Sequence, residues 1–125
     1  MIKTLEGILL SSPSAKKLAK FYQNTLGLKL KSEAVFGEHD EEFYEFDLGK
    51  TSLYIADHSE VRGTNPNPQR IILNFEVDNI EREITRLKKA KVKLVAKMYH
   101  IQDYGYIATF ADLDGNYFQL VKTRG

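Results

Sequence analysis

One order of elements occurs twice along this chain: a strand, a helix and three strands, then a turn-rich segment, then the same order again. The apolar run Leu5 to Leu10 reads as a strand. It ends at Ser11-Ser12-Pro13-Ser14, where a serine cap and a proline tolerated in the first turn announce a helix. Over Ala15 to Leu26 the apolar residues Leu18, Phe21, Tyr22 and Leu26 recur at helical steps, Lys16, Lys17 and Lys20 face water, and Gly27 is the stop. Strand character returns over Leu28 to Phe36, Phe43 to Leu48 and Ser52 to Ala56. His58 to Gln69, with Gly63, Asn65, Pro66, Asn67 and Pro68, suits a linker and opposes both helix and inner strand. Arg70 to Val77 then reads as a strand, and Asp78, three residues before Glu81, as the cap of a helix whose buried stripe is Ile80, Ile84 and Leu87. Val92 to Ile101, Tyr104 to Ala111 and Tyr117 to Lys122 complete the repeat, with Asp112 to Asn116 as the last turn.

This repetition predicts an α+β fold of two tandem βαβββ modules forming an open curved mixed sheet. Module one is 1–57, the linker 58–69 and module two 70–125, within one domain of 125 residues. A lone module of that size buries little of the sheet face opposite its helix. Pairing two such faces would enclose a cavity, the expected place of function.

Composition narrows the partners. The formal net charge is +1, so no global field concentrates the chain on nucleic acid or an acidic membrane, and neither is expected as a partner. The absence of cysteine removes disulfides, thiolate metal sites and thiol nucleophiles. Met1 to Glu6 carries charge and no long apolar core follows, so the expected location is the cytoplasm. No glycine-rich phosphate loop, nucleophile elbow or zinc-protease helix motif occurs.

Three segments resemble one known family. Leu18-Ala19-Lys20-Phe21-Tyr22 with Leu26-Gly27-Leu28 is similar to the first-helix signature of the vicinal oxygen chelate class, the glyoxalase and bleomycin-resistance superfamily. Leu73 to Ile80 resembles the strand and helix start that open its second module, and Tyr104-Gly105 with Phe110 to Leu120 resembles its last hairpin, Leu113 standing in place of a frequent proline. The resemblance implies a single domain of two βαβββ modules, a small-molecule site between curved sheets and a homodimer. Metal-dependent members, including glyoxalase I, extradiol dioxygenases and fosfomycin-modifying enzymes, hold a divalent ion with histidine and glutamate from the first and last strands of a module. Carried over, those positions fall on Gly7, Ile72 and Gln119, with Tyr54 as the partner of Gln119 in the first module. None is a good ligand for a borderline cation, so the expectation is a cavity without metal or other cofactor.

Strand parity sorts the faces. If Ile8, Leu10, Leu53, Ile55, Leu73, Phe75, Val77, Phe118 and Leu120 face the helices, then Gly7, Leu9, Tyr54, Ile72, Asn74 and Gln119 share the opposite face. Tyr54 then offers a hydroxyl on an aromatic platform, and Asn74 and Gln119 amide groups. His100, Tyr104 and Tyr106 lie in an aromatic and polar stretch that the resemblance places near the cavity mouth. The expected ligand-binding set is therefore Tyr54, Asn74, His100, Tyr104, Tyr106 and Gln119, taking an apolar or aromatic compound. Tyr44 and Phe46 stay unassigned, because Phe43 to Leu48 is apolar on both parities. Two alternatives stay open: a glyoxalase- or dioxygenase-type enzyme with a metal on unaligned residues, Glu6 and His100 first, and a dimer that binds a partner protein.

Overall fold

The computed structural model describes residues 1–123 and divides the chain into two compact units, 1–63 and 64–125. Arg124 and Gly125, which end the expected second module, lie outside the described residues. The first unit runs β1 (Gly7–Ser12), α1 (Ala15–Lys20), a π-helical turn (Phe21–Thr25), β2 (Lys29–Phe36), β3 (Glu41–Asp47) and β4 (Ser52–Asp57). The second runs β5 (Leu73–Glu76), α2 (Ile80–Lys89), β6 (Lys93–Ile101), β7 (Gly105–Ala111) and β8 (Tyr117–Thr123). Each unit is βαβββ and builds its own open four-stranded mixed sheet, in the orders β1-β4-β3-β2 and β5-β8-β7-β6. The opening strand is parallel to the last one, and the remaining pairs are antiparallel.

In the first unit Ile8 and Leu10 stand opposite Leu53 and Ile55, and Phe46 opposite Leu53, so one face of the sheet is continuously apolar. Leu18 and Tyr22 are fully buried, as are Phe46, Leu53 and Ile55. Each such side chain contributes about 1.5–3 kcal/mol on removal from water. The helix is α only as far as Lys20. The Leu26 N–H then bonds the Phe21 carbonyl five residues back, at 3.0 Å, and both adjacent rings, Phe21 and Tyr22, are buried over that wider turn. Gly27, at φ +80°, ends it as the sequence predicts.

Several boundaries differ from the sequence reading. β1 continues to Ser12 because β4 offers it six partners, so Ser11 and Ser12 are strand residues and Pro13 precedes the cap. The cap is Ser14, whose Oγ accepts only a long 3.4 Å bond from the Lys17 N–H. The stronger anchor is Asp57 at the end of β4. Its Oδ1 accepts the Ala15 N–H and its Oδ2 the Glu42 N–H, each at 2.8 Å, so one carboxylate ties the helix start to β3. On α2 the cap is Asn79 rather than Asp78. Asn79 has the extended backbone a cap requires and accepts the Arg82 N–H at 3.0 Å. β5 begins at Leu73, three residues later than expected, because the linker turn continues through an Arg70 N–H to Asn67 carbonyl bond. The Asp112 to Asn116 turn forms as expected. Buried Asp112 accepts the N–H groups of Asp114 and Asn116, and Asn65 bonds across to Asn116.

Two stability measurements follow. Asp57→Ala leaves two backbone donors without their charged acceptor and lowers unfolding free energy in urea by about 2–3 kcal/mol. Lys91, just past α2, holds φ +65°, a left-handed conformation that glycine adopts freely, so Lys91→Gly raises stability by about 0.5–1 kcal/mol.

Candidate functional site

The face of the first sheet opposite α1 is set by register. Tyr54 on β4 stands between Leu9 on β1 and Glu45 on β3, so the three side chains share that side. The Tyr54 ring lies directly over Gly7. A Cβ at position 7 would stand 2.4 Å from Tyr54 Cε2 and 3.0 Å from the Ser52 carbonyl oxygen, so any side chain there would force the Tyr54 ring to move. The Tyr54 hydroxyl donates to the Glu6 carboxylate. That bond, with some desolvation, holds the phenol above its ordinary pKa.

Beside Tyr54 the ring of Phe43 sits 5.4 Å away between centroids, and Phe36 meets Phe43 edge-on at 5.8 Å. An aromatic row thus crosses β4, β3 and β2. Glu45 lies next to it and accepts the Ser52 hydroxyl at 2.9 Å and the Ser32 hydroxyl at 3.2 Å. The face is open in this chain: Leu9 is 56% and Phe36 58% exposed.

In the second unit Asn74 stands opposite Gln119, and Gln119 opposite Thr109. Gln119 Nε2 donates to Thr109 Oγ1 at 3.0 Å, so the amide expected to meet a ligand is held along the sheet. His100 and Tyr106 do form a unit, a cross-strand pair with ring centroids 4.8 Å apart. They stand on the other side from Gln119. Tyr106 and Lys122 are partners, as are Thr109 and Gln119, and three residues of unbroken register separate the two pairs, an odd step that reverses the face. Tyr104 belongs to the turn before β7, where its N–H bonds the Ile101 carbonyl at 3.0 Å.

Of the six expected residues, then, Asn74 and Gln119 meet on one face of the second sheet, His100 and Tyr106 on the other, Tyr104 lies in the turn before β7, and Tyr54 stands in the first unit. Sequence reasoning missed Glu45, Phe43 and Phe36. The available signal was cross-strand pairing: once Tyr54 faces away from the helix, Glu45 and Phe43 must follow it.

The positions that would carry metal ligands do not fit a divalent ion. At Gly7 the space for a ligating side chain is filled by the Tyr54 ring. Ile72 precedes β5 and has no lone pair, and Gln119 offers a neutral amide already bonded to Thr109. Among the described residues no group of three or more His, Cys, Asp or Glu side chains is arranged to hold a metal ion. Nor is any described helix long and apolar enough to cross a membrane.

Comparison with known proteins agrees with the fold. A glyoxalase/bleomycin resistance protein/dioxygenase domain from Frankia superposes with TM-score 0.79 at 17% identity, covering 99% of this chain and 100% of that one. An antibiotic binding protein from a Streptomyces species gives TM-score 0.75 at 22% identity, covering 98% of each chain. The fosfomycin resistance protein of Listeria monocytogenes gives 0.76 at 18% identity, covering 99% of this chain and 96% of that one. No protein of curated function matches the sequence significantly. The family described as Glyoxalase/Bleomycin resistance protein/Dioxygenase superfamily matches residues 4–120, nearly the whole length, and the chain belongs to that superfamily.

Proposed function

We propose that this protein binds a small, largely apolar or aromatic compound without a metal ion, using the open faces of its sheets. The observation that carries the reading is the Tyr54 ring seated over Gly7: the place where a ligating side chain would stand is built as an aromatic platform. Phe43 and Phe36 extend that platform, and Asn74 and Gln119 present amide groups on the second sheet. The antibiotic-binding relative supports the reading by analogy of fold. We further propose a cytoplasmic homodimer. The exposed Val95, Met98, Tyr99 and Ile101 on edge strand β6 support self-association.

Metal-dependent turnover through Glu6 or His100 has less support. The Glu6 carboxylate accepts the Tyr54 hydroxyl, and His100 packs on Tyr106.

A thermal-shift screen of planar aromatic compounds tests the binding reading. A true ligand at about a hundredfold its Kd adds about 2.7 kcal/mol of stability. Tyr54→Ala is expected to remove the shift, and a panel that stabilises neither wild type nor variant overturns the reading. The platform itself is tested by Gly7→Ala, expected to cost about 1–3 kcal/mol by overpacking, with part of that loss relieved in the Tyr54→Ala background. Full additivity of the two changes would show that the ring and the glycine are not coupled.

A further inference from the structure

The open face of the first unit carries charge among its rings. By register Glu41, Glu45 and Asp47 project to the same side as Phe43 and Tyr54, and the Glu6 carboxylate joins them at the Tyr54 hydroxyl. Among the strand residues that the register describes, the cations on that side are Lys29, opposite Asp47, and Lys31, whose Nζ is 3.7 Å from Glu45 Oε2. Together with Glu6, these strands bring four carboxylates beside two ammonium groups. Glu45 is the group best placed to select a ligand. Its side chain is only 17% exposed, fixed by two serine hydroxyls, and it stands opposite Tyr54 in the register.

Lys31 shows what this carboxylate attracts. It approaches from a bulge in β2 with a side chain 61% exposed, and an exposed pair of that geometry contributes little and is readily exchanged. A competing cation that also places a flat ring against Phe43 and Tyr54 gains what Lys31 lacks: ring stacking, cation–π attraction and release of water from apolar surface.

We infer that the ligand of this face is a planar aromatic cation, a ring system bearing a protonated amine or amidinium, with its ring on Phe43 and Tyr54 and its charge at Glu45 in place of Lys31. This rests on the small-molecule reading above and narrows it by charge and shape.

The test uses the full chain and three tricyclic probes of similar area at pH 7.5: 9-aminoacridine as the cation, acridine as the neutral ring and anthracene-9-carboxylate as the anion. Fluorescence titration is expected to give the cation an affinity about tenfold above acridine, with the anion weakest. Glu45→Gln should erase most of the cation's advantage over acridine. Lys31→Ala, a surface change that spares the fold, should tighten 9-aminoacridine binding severalfold by removing its competitor. Equal affinity for the three probes, or a cation preference indifferent to both variants, overturns the charge inference and leaves the small-molecule reading in place. Binding of none of the three overturns both.

Discussion

In each unit the opening strand lies parallel beside the closing one, β1 against β4 and β5 against β8, and the positions of the candidate-site side chains depend on that pairing. A parallel neighbour cannot be reached by a tight turn, so the intervening helix and strands must cross over, and the helix covers one face. Register then leaves no freedom. With Leu53 and Ile55 under the helix, Tyr54 must point away from it, and Leu9 and Glu45 must flank Tyr54. The aromatic row of the first unit is thus a result of core packing on the reverse side of the same strands.

Carboxylates do much of the remaining local work. Asp57 joins the start of α1 to β3, and Asp112 gathers three donors within the last turn. In both places short side chains meet backbone N–H groups that regular pairing would leave without partners. Glu45 uses its oxygens differently, accepting side-chain hydroxyls across the open surface, which fixes its direction while the face around it stays accessible.

Most of the architecture is legible in the sequence because alternation and helical spacing report burial, and burial selects the face. The sequence is weaker where two residues compete for one task. Asp78 and Asn79 are both good caps, and only backbone conformation at the helix start distinguishes them. β3 hid its allegiance because Phe43 interrupts the acidic side formed by Glu41, Glu45 and Asp47 and blurs its contrast with Tyr44 and Phe46, which concealed Phe43 and Glu45. His100 was out of reach of parity for another reason: β6 has register shifts between Leu94 and Ala96 and between Ala96 and Tyr99, so counting along that strand loses its phase. The regular partner β7 preserves it and places His100 and Tyr106 away from Gln119.

The seating of Tyr54 over Gly7 couples the substitutions that the two positions tolerate. A ring that fills the room above a glycine makes the order of later substitutions matter, since any side chain arriving at position 7 meets that ring while position 54 remains tyrosine. Removing Tyr54 first would uncover Gly7 and shorten the aromatic row. The size allowed at position 7 is therefore set from position 54: a side chain there needs the room that the Tyr54 ring now fills.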